Sequence, residues 1–277
     1  HRLPLTTPMS WKCASEPPSG YNKSFERLPP TELNVTKEPQ QPDHSFDISQ
    51  VSDSELRSAM QSIPCQSHED APAPLVELTG LQGQHSAMMR CEMPLRFQAT
   101  GELGDYAFAF CRDADVRLDG NVGHGAGDGM CGGVVLITGN AGCGLGSAMT
   151  GGTLAVYGSA GDRVGSAMRG GSIFVRGSVG DDTGAGALGG TIVVGGDAGD
   201  RLGDGLNNVT VFLRGKAKSL APGVIEAPLR KREEVRLGLL LMGASIRGSA
   251  SEFRRIIPKA RLDAEEAGAG EIRPNWR

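Results

Sequence analysis

Gly101, Gly120, Gly139, Gly158, Gly177, Gly196 and Gly215 stand nineteen residues apart without a break, and most positions between them repeat their residue type as well. One unit reads apolar-x-apolar-x-Gly, then small-Gly, Gly, Met and Gly-Gly, as in VLITGNAGCGLGSAMTGG from Val135 to Gly152. A fixed period near twenty, repeated seven times, calls for stacked coils rather than a globular enzyme core, because so short a unit cannot bury an apolar face alone.

The first and third positions of each unit are its most apolar: Val116/Leu118, Val135/Ile137, Leu154/Val156, Ile173/Val175, Ile192/Val194 and Val211/Leu213. Alternation of β-branched residues is strand chemistry, so these pairs point inward from one wall. A second inward row is small (Val122, Ala141, Ala160, Val179, Ala198, Ala217), and a third wall runs from Leu145, Val164 and Leu202 to Met130, Met149, Met168 and Leu206. Three short strands bent at glycines describe one turn of a single-stranded right-handed β-helix, an all-β solenoid of about seven coils. Coils about 4.8 Å apart make six steps roughly 29 Å long, and both ends of such a rod need caps over their open sheet edges.

The flanks supply those caps. Residues 1–44 are rich in Pro, Ser, Thr, Glu and Lys and poor in apolar residues, the composition of a disordered or extended segment. Residues 45–73 form a helical lead-in, in which VSDSELRSAMQSI from Val51 to Ile63 carries a capping-box pair, Ser52 and Glu55. Alternating runs from Pro74 to Thr100 lead as strands into the solenoid proper, 74–220. In the closing stretch, 221–277, a helix is expected over Ala227–Met242 and a shorter one from Ser249, boxed by Glu252, to a stop at Pro258; a loose tail follows from Glu265.

The 41 glycines follow no Gly-X-Y period, so the excess belongs to the turns and not to collagen. A net charge of −4 gives no basic footprint for nucleic acid. Cys13, Cys65, Cys91, Cys111, Cys131 and Cys143 have neither zinc nor iron–sulfur spacing and read as thiols. No run of eighteen apolar residues and no basic-then-apolar start is present, and the expectation is a soluble cytoplasmic protein without a membrane partner.

The ninth position stacks Asp105, His124, Cys143, Asp162, Asp181 and Asp200 in a column on the outside of the rod. Carboxylates and a histidine have the chemistry to hold a cation or to act as acid and base. Beside them, however, the tenth position alternates Arg163, Asp182 and Arg201, which neutralises the column through surface ion pairs, and structural turn chemistry is the preferred reading. Strings such as Gly142-Cys143-Gly144-Leu145-Gly146 lack the strand-then-long-helix context of a dinucleotide fingerprint. The methionine stripe reads as core filling, and no Ser or Cys nucleophile with a complete triad can be placed beside His124, which leaves a small esterase as the remote enzymatic alternative.

The repeated units, Gly120-Asn121-Val122-Gly123 through Gly132-Gly133 and again GDAGDRLGDGL from Gly196, resemble the GXGXG domain family over about Pro74 to Leu220. That family includes the C-terminal β-helix of the glutamate synthase large subunit. It also includes a structural subunit of formylmethanofuran dehydrogenase and its counterpart in the related formyltransferase/hydrolase complex. FDISQVSDSELRSAMQSI from Phe46, GSVG at Gly177, KSLAPGVIEAPL and SEFRRII look like the stand-alone glutamate-synthase-type proteins, of which an N-methylglutamate synthase system is one example. All seven units keep nineteen residues, without the insertion expected of the formylmethanofuran type. The resemblance implies a non-catalytic scaffold in nitrogen metabolism and glutamate biosynthesis. Its partners would be a glutamine amidotransferase-type subunit and an FMN-binding synthase-type subunit, with FMN and the iron–sulfur cluster in the partner subunits. It carries over no catalytic, cofactor or metal residue to this chain; the alternative it leaves is a structural subunit of a formylmethanofuran dehydrogenase or formyltransferase/hydrolase-type complex.

Overall fold

The computed structural model describes residues 41–51, 53–64, 73–205, 209–243 and 248–267, all within one compact unit. Most of the expected N-terminal segment, Cys13, Cys65, the Ser52 cap, Leu206 and residues 268–277 lie outside the described residues.

A single eleven-stranded sheet is the long wall of the solenoid. It begins with β1 (His44–Asp47), β2 (Leu75–Gln84), β3 (Arg96–Leu103) and β4 (Asp115–Asp119). One four-residue strand per coil follows: β5 (Val134–Ile137), β6 (Thr153–Val156), β7 (Ser172–Val175), β8 (Thr191–Val194) and β9 (Thr210–Leu213). From β3 to β9, neighbours pair in parallel with every partner nineteen residues on, as in Val135 with Leu154, Leu154 with Ile173 and Ile173 with Ile192. The sequence period is therefore the sheet register. Side chains at unit positions one and three close the interior, where Leu118, Val135, Ile137, Leu154, Ile173 and Ile192 are fully buried.

The other two walls are less regular than three strands per coil. The second shrinks to single bridges, Val122 with Ala141 and Ala141 with Ala160 among them. The third contains no strand among the described residues. Its backbone visits the left-handed region at alternate residues, Gly125, Gly127 and Gly129 in one coil and Tyr106, Phe108 and Phe110 in the coil before. Alternating handedness cannot make a β-strand, yet the amides still reach neighbouring coils: Gly127 N–H donates to Ala107 O at 2.9 Å and Gly129 N–H to Ser147 O at 2.8 Å. Met130, Met149 and Met168 fill the interior from this wall with no exposure.

The glycine ladder has a geometric cause. The amide of Gly139 donates to the carbonyl of Gly120, that of Gly158 to Gly139, that of Gly177 to Gly158 and that of Gly196 to Gly177, at 2.8–2.9 Å. A Cβ on Gly177 would stand 2.6 Å from Gly158 O, and one on Gly196 2.7 Å from Gly177 O. Close approach of backbones, rather than left-handed φ, requires glycine here, since of the seven only Gly101 has a positive φ.

Both ends are capped. At the first coil, α1 (Asp53–Gln61) adds Leu56 and Met60 to the core, and β1 pairs in parallel with β2. At the last, β10 (Val224–Ala227) pairs antiparallel with β11 (Arg254–Pro258), which itself pairs antiparallel with β9. This corrects the expected helix from Ser249 to Ile257. Its capping box is present, but it caps only a 3-10 turn, Ala250–Glu252, before the chain extends. The edge of β9 offers a ladder of hydrogen bonds, and the β-branched pair Ile256-Ile257 buries on it. Pro258 starts a helix instead of stopping one, because α3 (Lys259–Glu266) follows directly, where the tail was expected to be loose only from Glu265. The helix expected from Ala227 is α2 (Lys231–Gly243), the residues before Pro228 being taken into β10. Leu237 and Leu241 of α2 cover Ala155, Phe174, Val193 and Phe212 on the outer face of β6 to β9.

One substitution at two glycines separates the spine from an ordinary helix position. Gly139→Ala, packed against the Gly120 carbonyl, is expected to destabilise by about 1–3 kcal/mol. Gly238→Ala in α2, where an added Cβ meets nothing within 4 Å, is expected to stabilise by up to about 1 kcal/mol. Denaturant unfolding of the two variants checks the opposite signs.

Candidate functional site

The position-nine column lies where the repeat puts it, along one corner of the rod, and its side chains are engaged with the backbone of the coil above. The His124 amide donates to Asp105 Oδ1 at 2.7 Å and the Cys143 amide to His124 Nδ1 at 3.0 Å. Farther along, the Asp181 amide donates to Asp162 Oδ1 at 2.9 Å and the Asp200 amide to Asp181 Oδ1 at 2.8 Å. His124 therefore presents Nδ1 as an acceptor, which places the proton of the neutral ring on Nε2. Asp105, His124, Asp162 and Asp181 each satisfy a backbone amide of the next coil.

Sequence reading missed both ends of this column. His85 begins it, accepting the Asp105 amide on Nδ1 at 3.0 Å, and Ser219 ends it, donating Oγ–H to Asp200 Oδ1 at 2.9 Å. His85 stands twenty residues before Asp105 rather than nineteen, so the period does not find it. A second column at position six was missed altogether. The Asn140 amide donates to Asn121 Oδ1, Ser159 to Asn140 Oδ1, Ser178 to Ser159 Oγ, Asp197 to Ser178 Oγ and Lys216 to Asp197 Oδ1, at 2.7–3.1 Å. The run of Asn, Asn, Ser, Ser and Asp one residue after the spine glycine is the signal that would have found it.

At position ten, Arg201 pairs with Asp182 through two hydrogen bonds of 2.6 Å. The hydrogen bond from Arg201 holds the partly exposed Asp182 carboxyl below its ordinary range. Of the four described cysteines, none is in a disulfide. Burial pushes the Cys111 thiol up to about 12, which leaves it protonated and unreactive.

The densest charge cluster lies in the C-terminal cap. Arg255, 2 % exposed, donates to Glu265 at 2.8 Å, to Glu233 at 3.3 Å and to the Pro228 carbonyl at 2.8 Å. Arg261 adds bonds to Glu265 at 3.3 Å and to Thr210 Oγ1 at 2.8 Å. Burial alone raises the Glu265 carboxyl, but the hydrogen bond and charge of Arg255, with Arg230 and Arg261 behind it, outweigh that and leave it below its ordinary value. The network ties α2 and α3 to β9 and β11, and every oxygen of its two carboxylates faces a guanidinium or a backbone donor; its geometry is that of a clasp.

Among the described residues, large apolar side chains are exposed in two groups and singly at Leu188. Tyr106 and Phe110 project from the third wall of one coil, their rings lying over Gly125 and Gly129 of the next. On α2, Val235, Leu239 and Met242 form an outward stripe at i, i+4 and i+7. Among the described residues, no helix is long and apolar enough to cross a membrane. No protein-family model matches the chain, and no curated protein does.

If the position-nine oxygens serve the backbone, an amide oxygen must replace a carboxylate there. Asp181→Asn is expected to leave stability within about 0.5 kcal/mol, whereas Asp181→Ala, which strands the Asp200 amide, is expected to cost about 1 kcal/mol. Thermal or urea unfolding of the pair measures the difference.

Proposed function

We propose that this chain is a non-catalytic scaffold subunit of a glutamate synthase-like glutamine amidotransferase complex. It docks an amidotransferase-type subunit and an FMN-binding synthase-type subunit in the cytoplasm. One observation carries the docking role: the polar columns are committed to coil-to-coil hydrogen bonds, while apolar side chains stay exposed in groups at two separate places, Tyr106/Phe110 and the α2 stripe, besides the single Leu188. Exposed aromatics and aliphatics in small groups are the composition of interface centres. Two such groups on different walls suit a rod that holds two partners apart at a fixed distance. The resemblance of the nineteen-residue units to the GXGXG family supplies the kind of complex. In it, glutaminase chemistry, FMN and the iron–sulfur cluster belong to the partner subunits, and this chain contributes rigidity and docking area.

Isolation of the chain from its native cells, with its partners, is the test. A glutamine-dependent, flavin-containing assembly is expected. The Leu239→Glu variant is expected to fold normally and to lose at least one partner, because a carboxylate in the centre of an apolar contact remains unpaired. Recovery of a stable partner-free monomer, or of an assembly with formyltransferase subunits, would overturn the proposal.

A further inference from the structure

Four of the chain's nine methionines gather at one place. Met60 of α1 and Met88, Met89 and Met93 of the segment between β2 and β3 line a cavity of about 220 Å³, together with Cys91. Half of the lining residues thus carry sulfur. The turn that bears them has the third-wall conformation of the coils that follow, with Ser86, Met88 and Arg90 all in the left-handed region, φ 55, 56 and 58°. It is pinned from the next coil, where Cys111 Sγ–H donates to the Met88 carbonyl at 3.1 Å and the Phe108 amide to Ala87 O at 3.0 Å. Left-handed backbone at residues other than glycine is costly and persists where the surroundings fix it.

Methionines elsewhere in the rod, Met130, Met149 and Met168, are packed without exposure and fill the interior. Those around the cavity border open volume instead. Thioether and thiol sulfurs are soft donors, which select Cu(I) over Mg²⁺ or Ca²⁺. Among the described residues, no three His, Cys, Asp or Glu side chains form a group that could hold a metal; in the lining the five sulfurs outnumber the side-chain oxygen donors, which are Gln61, Ser86 and Glu92. The three rotatable bonds of methionine let sulfurs converge on a cation from facing walls without backbone movement. Met60 and Cys91, 5 % and 4 % exposed, bring two of them from different elements at the buried side of a cavity whose rim carries Gln61, Arg90 and Glu92.

We propose that this cavity binds Cu(I), held by the Cys91 sulfur, whose proton is released to solvent on binding, and by two or three thioethers drawn from Met60, Met88, Met89 and Met93. The proposal stands apart from the scaffold reading.

The full chain, reduced and kept anaerobic, is titrated with Cu(I) against a chromophoric Cu(I) chelator. One Cu(I) retained per chain is expected, with an all-sulfur shell by X-ray absorption. The affinity is expected to fall at least tenfold in the double variant Met88→Leu/Met93→Leu and to be unchanged in Cys143→Ser. Methionine to leucine conserves volume, so the melting temperature is expected to hold. Should the double variant melt early, Met93→Leu alone, at the half-buried position, must still weaken binding. Failure to retain Cu(I), equal affinity in wild type and the methionine variants, or loss of binding in Cys143→Ser would each overturn the assignment.

Discussion

Coil-to-coil hydrogen bonding along the glycine spine sets the spacing on which the rest of this molecule depends. Each spine amide from Gly139 to Gly215 donates to the spine carbonyl one coil below, and the bond forms only because no Cβ stands between them. With the coils held at that separation, the apolar pairs of β4 to β9 fall into register and bury their side chains almost completely. The same separation brings position-six and position-nine side chains within reach of the next coil's amides. The hydrophobic interior supplies most of the driving force, and the spine decides its geometry.

This constraint explains why so much of the fold was legible. A period that equals the sheet register can be counted from the chain, and the inward rows follow from it, from Val135/Ile137 to Val211/Leu213. What was not legible breaks the period or lies beyond it. His85 stands one residue out of the period, and the strand character of Arg254–Pro258 comes from the edge of β9, a partner about forty residues away in sequence. The capping box at Ser249 was read correctly as a local signal; the tertiary edge overrode its continuation. Alternating left-handed residues on the third wall were hidden because Tyr106, Phe108 and Phe110 occupy positions that the next coil fills with glycine.

The candidate site was legible in position but not in role. Asp105, His124, Asp162, Asp181 and Asp200 are recognisable as a column from spacing alone, while the direction of their lone pairs, toward the next coil's amides, is a property of three-dimensional stacking. A repeated polar residue in a solenoid is first of all a solution to the backbone donors of its corners. Features that occur once stand out against that background: the exposed aromatics of one coil, the outward stripe of α2, the arginine–glutamate clasp and the sulfur-lined cavity beside α1. Specific behaviour in a repeat protein belongs to such departures from the repeat.

Native-state hydrogen exchange tests the spine most directly. If it holds the coils together, the amides of Gly139, Gly158, Gly177 and Gly196 exchange only through global unfolding, with the same free energy as the core strand amides of Ile173 and Ile192. Exchange of the spine glycines through local opening, well below the stability of those strands, would contradict the account.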